Sequence, residues 1–379
     1  MSLVASIGAV LTGDNLPSSI ELLPGDPEVW LTTGQDYLMT EGNLGIPQKT
    51  AHKAYLQAVE VFRSCPSSKH LGTEVYDSTD VVNNLISSSA VLLLVNPAHQ
   101  TALNARKRLV IAGLVDASLE LRLNAAFLTL RECSKQSIMW HHRRWLLRRI
   151  GSTSKMNHSE QDEDLIMDED ILYDAGLPVS VLSEELVVTS RAAETYQRNY
   201  FAWSHRRRVF DALVFLTRQA LEARSADLAK LVTLLVDEHA SIMKWVDLHV
   251  SDYTAMQYLH AIDELILPLV TQSSALLPRS SNDDFEDRLP QHIQSLLQAY
   301  PEHESVWMYT RLAPPRDDSG LPPLGGHTTE QARANARRFL AWYAFRLGSA
   351  TPSITPRDVS TTTTNTRHVM SVLLKSLSE

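Results

Sequence analysis

The chain has 379 residues and a formal net charge of −9, and its 44% hydrophobic content is enough to bury a sizeable core. The acidic balance argues against nucleic acid or an anionic membrane as the main partner. Two cysteines without paired spacing, Cys65 and Cys133, exclude a disulfide framework and give no zinc signature, which points to a reducing compartment.

In chain order, "MSLVASIGAVL" is apolar but has no basic n-region and is too short to span a bilayer. It reads as neither signal nor anchor, so no membrane insertion is expected and the expected location is cytoplasmic. Residues 1–74 read as an N-terminal helical extension. From there, apolar residues recur with a period of 3.6 in "LELRLNAAFLTL" (119–130), "DLAKLVTLLV" (227–236) and "RANARRFLAWYAFRL" (333–347). No stretch reads as a credible strand. Residues 152–176 are strongly acidic and lack an apolar face, which predicts an inserted mobile loop. Residues 313–379 hold a proline- and glycine-rich linker and C-terminal helices, the last ending near Leu377.

An internal repeat organises the middle of the chain, over residues 75–312. "CSKQSIMWHHRRWLL" and "YQRNYFAWSHRRRVF" align with each other, and weaker copies start at Asn96, His249 and Tyr300. The anchor positions are Leu103, Trp140, Trp203, Met256 and Trp307. Each copy follows another apolar-periodic segment, so the unit is a helix hairpin. Asn96-Pro97 reads as an N-cap followed by proline at the first helical position. Trp140, Arg143, Arg144 and Leu147 are spaced i, i+3, i+4, i+7, as are Trp203, Arg206, Arg207 and Phe210. Both arginine pairs therefore share a face with a tryptophan, beside the apolar seam. There the stems pack on rings and the heads need carboxylates from adjacent helices. A groove-binding helix would instead aim its cations at solvent, so nucleic acid is not the expected partner. Arg148 and Arg149 fall outside the pattern and read as solvated. His141, His142 and His205 lack ligand spacing and read as capping or packing residues, so no metal is expected in this chain.

The pattern Asn-Tyr-x-Ala-Trp-x-His-Arg, clearest in "NYFAWSHRRRVF" and "KQSIMWHHRRWLL", resembles the repeat of protein prenyltransferase alpha subunits, in a divergent form. The repeat-structural residues it marks are Asn96, Trp140, Arg143, Arg144, Asn199, Trp203, Arg206, Arg207 and Trp307. The resemblance implies an all-α fold: a right-handed superhelical solenoid of antiparallel helix hairpins, tetratricopeptide-like, wrapped around a separate beta subunit. It implies that zinc and most of the isoprenoid pocket belong to that beta subunit, with no cofactor in this chain. Isoprenyl diphosphate and the protein substrate would be shared between the two. It carries two catalytic positions over, Lys135 just before the second repeat's helix and Tyr200 in the third. Phe201 stands where the family has histidine, and Gln136-Ser137 where it has Asn-Tyr. The implied activity is that of an alpha-type subunit, inactive alone, in a protein prenyltransferase transferring geranylgeranyl to a C-terminal cysteine. The alternative is a noncatalytic repeat scaffold for protein–protein interaction.

Overall fold

The computed structural model describes residues 2–32, 34–65, 79–153, 171–273, 285–312 and 329–349. It divides into two compact units, Met1–Leu213 and Val214–Glu379. Helix dominates both.

The first unit opens with α1 (Leu3–Thr12), capped by Ser2, whose Oγ accepts from the Ala5 N–H at 3.2 Å. Next come β1 (Ser19–Leu23), the short helix α2 (Pro27–Trp30), β2 (Leu38–Thr40), β3 (Asn43–Pro47) and α3 (Gln48–Ser64). The three strands form one sheet in the order β1-β3-β2, with β1 parallel and β2 antiparallel to β3. The sequence expectation of an all-helical extension without strands is corrected here. Strands of three to five residues are too short for period-2 alternation to declare itself. The burial in β1 does not alternate either. The sheet is tied to distant helices: Ile20, Leu44 and Ile46 are buried, and the Ile20 N–H donates to Thr129 Oγ1 at 2.9 Å.

Helix α1 packs with α3 and with α4 (Thr79–Val95) through Val4, Ile7, Leu11, Ala51, Ala54, Ala58, Ala90 and Val91. The approach to α4 is close. A Cβ on Gly8 would lie 2.4 Å from Ser87 Cβ, nearer than side-chain carbons tolerate.

Helix hairpins follow. The first unit holds α4 with α5 (Gln100–Ile111), then α6 (Ala117–Phe127) with α8 (Ser137–Thr153), separated by the single turn α7 (Arg131–Ser134). Its third hairpin joins α9 (Val179–Thr195) to α10 (Tyr200–Glu222), within which the two units divide. The second unit pairs α11 (Leu228–Leu248) with α12 (Tyr253–Ser273), and α13 (Phe285–Ala299) with α14 (Glu304–Leu312). Helix α15 (Glu330–Ser349) packs on α14.

Two further expectations are corrected. Asn96 does not cap α5: its own N–H still bonds the Leu92 carbonyl and closes the last turn of α4. The cap is His99, whose Nδ1 accepts from the Ala102 N–H at 3.1 Å. Of the acidic insertion, residues 154–170 lie outside the described residues, but 171–176 are packed. Leu172 and Ala175 are buried, and Arg148, read as solvated, bonds the Ile171 carbonyl and the Asp174 carboxylate. The linker at 313–328 and the helix expected near Leu377 also lie outside the described residues.

Gly8→Ala is expected to lower stability by about 1–3 kcal/mol, the usual cost of overpacking a close contact. Adding Ser87→Gly, which removes the clashing Cβ, should recover part of that loss in chemical denaturation.

Candidate functional site

All five anchor side chains, Leu103, Trp140, Trp203, Met256 and Trp307, are buried. Trp140 and Trp307 use the indole N–H in the same way. Each donates to a carbonyl six residues back, of Ser134 at 2.8 Å and of Pro301 at 2.7 Å. A buried indole needs such an acceptor, and the turn before each second helix supplies it. Four residues before the anchor sits the cap: His99 for α5, Asn199 for α10 and Asp252 for α12. Asn199 is fully buried and does more than cap. Its Oδ1 accepts from the Ala202 N–H at 3.1 Å, while its Nδ2 donates to the Ser134 carbonyl at 3.1 Å and Oγ at 2.6 Å.

The buried arginines form a ladder between hairpins. Arg106 of α5 holds Glu120 of α6 through Nε and Nη2, at 2.5–2.9 Å. Arg143 of α8 holds Glu185 of α9 in a two-pronged bond, 2.6 Å on each side. The remaining donors turn back to the preceding helix: Arg106 to the Ile86 carbonyl and Ser89, Arg143 to the Leu121 carbonyl and Asn124. Arg206 repeats that backward half on the Leu186 carbonyl and Thr189. Each glutamate also accepts from the histidine two residues past its own hairpin's anchor. His142 Nε2 meets Glu120 and His205 Nε2 meets Glu185, both at 2.9 Å. Of the outer arginines, Arg144 is half-buried, and Arg207 lies partly exposed against Asp211 at 2.9 Å.

Electrostatics follows from this geometry. Burial alone would raise the Glu120 and Glu185 carboxyls, but the arginine and histidine of each site together outweigh it and bring both down to about 2. Burial also lowers the His142 and His205 pKa values, against the pull of the carboxylates. Each imidazole is therefore neutral and donates Nε2–H to its glutamate. The Nδ1 of each is buried without a hydrogen-bond partner, so a second proton would enter a place with no acceptor.

The second unit varies the same register. Tyr258 takes the histidine place of α12, and its hydroxyl donates to Glu238 of α11 at 2.7 Å. Leu259 of α12 stands in the arginine place, and Leu289 of α13 in the following hairpin stands in the glutamate place, both buried. Tyr309 remains where the histidine would be. Its buried hydroxyl has no partner, and its pKa is raised, first by burial and then by Asp263 and Asp247.

The two positions carried over as catalytic lie on an exposed edge. Lys135 follows α7, is about one-third exposed and pairs with Glu132 at 2.6 Å. Tyr200, at 64% exposure, opens α10 with its ring edge-on to Phe201. Their chain neighbours Ser134 and Asn199 are hydrogen-bonded to each other, which brings the two backbones together. No group of three or more potential metal-ligating residues occurs among the described residues. Sequence reading missed Glu120, Glu185, Glu238 and the cap His99. A buried arginine announced that a carboxylate must exist, but not which one.

Glu185→Ala strands Arg143 in the core and is expected to cost roughly 3–5 kcal/mol. Arg207→Ala, at a partly exposed pair, should cost no more than about 1 kcal/mol. Stability should also fall as the pH drops below about 6.5, the ordinary histidine value, because the unfolded chain then binds protons that neutral His142 and His205 refuse. A second loss follows below 4.5, as protons bind carboxylates whose folded values are near 2. Denaturation midpoints between pH 7.5 and 4 read both, and His142→Gln with His205→Gln should flatten the first. Tyr309→Phe removes an unsatisfied hydroxyl and should leave the melting temperature unchanged or raise it.

Residues 182–213, the α9–α10 hairpin with Glu185, Asn199, Trp203, His205 and Arg206, match the family described as protein prenyltransferase alpha subunit repeat. Curated relatives carry the same name in longer form. The chain is 27% identical over 258 residues to protein prenyltransferase alpha subunit repeat-containing protein 1 of Homo sapiens, covering 60% of this chain and 58% of the relative. It is 28% identical over 263 residues to the 1-B protein of Xenopus laevis, covering 60% and 54%, and 29% identical over 247 residues to that of Danio rerio, covering 60% and 53%. The chain thus spans little more than half the length of these relatives. The α9–α10 hairpin thus matches the protein prenyltransferase alpha subunit repeat, and over 60% of its length the chain is similar, at modest identity, to proteins named for that repeat.

Proposed function

We propose that this chain is the alpha-type subunit of a heterodimeric protein prenyltransferase. Its hairpins would form a right-handed superhelical arc around a zinc-bearing beta subunit, and the pair would transfer geranylgeranyl to a C-terminal cysteine of a protein substrate. The observation that carries this reading is the edge where α7 meets the start of α10. There the buried Ser134–Asn199 bonds hold Lys135 and Tyr200, two polar side chains that remain accessible. An allylic diphosphate gathers negative charge on its bridging oxygen as the carbon–oxygen bond breaks. A fixed ammonium acts most where that charge develops. Lys135 supplies the cation and Tyr200 a hydroxyl donor. The zinc-bound thiolate chemistry belongs to the partner.

A second reading has its own support. Lys135 is already paired with Glu132, and Phe201 stands beside Tyr200 without a donor. Both features favour a scaffold that keeps the repeat and binds a partner without touching the diphosphate.

Purified alone, the chain is expected to transfer no prenyl group. Mixed with a cognate beta subunit it should form a stable heterodimer and gain activity. Lys135→Ala should then lower kcat by roughly tenfold to a thousandfold, the scale of removing one electrostatic stabiliser, with little change in KM for the protein substrate. Unchanged turnover in an active heterodimer would establish the scaffold reading.

A further inference from the structure

The last described helix, α15, has two dissimilar faces. Ala332, Asn335, Ala336, Phe339, Leu340 and Tyr343 are buried. The other face carries Arg338, Ala341, Trp342, Phe345 and Arg346 at i, i+3, i+4, i+7 and i+8. Phe345 is 74% exposed, and Met308 of α14 is 47% exposed. A solvated helix face normally carries polar side chains, and exposed aromatic residues rimmed by charge mark a candidate interaction surface.

Two of its cations differ from the carboxylate-paired arginines described above. Arg106, Arg143, Arg148 and Arg207 each hold a carboxylate. Arg311 and Arg346 hold none among the described residues. Both guanidinium groups lie by the Trp342 ring, 5.5 and 5.6 Å from its centroid, and Arg311 Nε is buried without a hydrogen-bond partner. Arg338, nearby on α15, reaches Glu304 only at 3.9 Å. Helices α14 and α15 carry five arginines against two glutamates, a local excess of positive charge on a chain of net −9. Guanidinium groups beside an indole are suited to a planar carboxylate, and Phe345 and Met308 to a bulky apolar side chain.

We propose that this face docks an acidic peptide segment of a partner protein, one in which carboxylates flank a bulky aliphatic residue. The carboxylate accepts from Arg311 and Arg346, and the aliphatic side chain covers Phe345 beside Met308. The site lies within the second unit and does not depend on the prenyltransferase reading.

The test uses the full chain and a fluorescein-labelled peptide, Gly-Glu-Glu-Leu-Leu-Glu-Glu-Leu, read by fluorescence anisotropy at 0.1 M salt. Its lysine-for-glutamate counterpart serves as the control. The acidic peptide is expected to bind and the lysine peptide not. Arg311→Gln with Arg346→Gln should weaken binding at least tenfold, and Phe345→Ser several-fold. Circular dichroism melts should show both variants folded; should the double variant unfold, Arg346→Gln alone, at an exposed position, gives the reading. The proposal is overturned if the acidic peptide does not bind, or binds equally to the variants. It is overturned in favour of a simple anion site if inorganic phosphate displaces the peptide and Phe345→Ser has no effect. Concentration-dependent dimerisation abolished by Phe345→Ser would show that a second copy covers the face, and would also overturn it.

Discussion

A buried carboxylate shared between neighbouring hairpins is the interaction on which the first unit's repeats depend. Glu120 and Glu185 each sit where two helices can reach them, the arginine of the hairpin before and the histidine of their own. Neither the charge nor the ring is stabilising by itself in such a place. An isolated buried carboxylate would take up a proton, and an isolated buried guanidinium would draw in water or unfold its surroundings. Together they satisfy one another and fix the register of one hairpin on the next, a specificity that apolar contacts alone supply less sharply. The second unit shows the complementary solution. Where leucine stands in both the arginine and the glutamate places, the joint is apolar, and Tyr309 keeps a buried hydroxyl without a hydrogen-bond partner in the histidine place.

The legible part of the fold was the part with a long period. Helical spacing and the recurring Trp-x-His-Arg block located the hairpins and placed Trp140, Trp203 and Trp307 inside, because a tryptophan sharing a face with leucines has only one place to go. The same arithmetic put Arg143 and Arg206 beside the seam, where both are buried. What it missed was partnership. Glu185 is 42 residues from Arg143, and nothing in "SVLSEELVV" distinguishes it from the adjacent Glu184. The N-terminal sheet was missed for a different reason: its strands are stabilised by distant helices, so their local sequence says little. Asn96 was mistaken for a cap because Asn-Pro is a good start signal, yet His99 occupies the position that the repeat register itself assigns.

At the candidate site the scaffold and the chemistry lie one residue apart. Ser134 and Asn199 are buried and bonded, while Lys135 and Tyr200, their immediate neighbours, are accessible. Such an arrangement separates two demands on one short stretch. The backbone is rigid because its polar groups are satisfied inside, and the adjacent side chains are left available for a ligand or a partner surface. The Ser134 carbonyl serves both hairpins, accepting from the Trp140 indole and the Asn199 amide.

The bond between Ile20 and Thr129 has a consequence for how the protein is made. Most hairpin contacts join residues a few tens of positions apart and can form as soon as two helices have left the ribosome. The edge of β1 is different, since its partner lies 109 residues downstream. At about 5–20 residues per second, β1 waits on the order of ten seconds before Thr129 has been synthesised. During that interval a short strand has an unsatisfied edge, the kind of feature other chains can pair with. The order of synthesis therefore delays the closing of this sheet edge until α6 has emerged, after α1, α3, α4 and α5 have all left the ribosome.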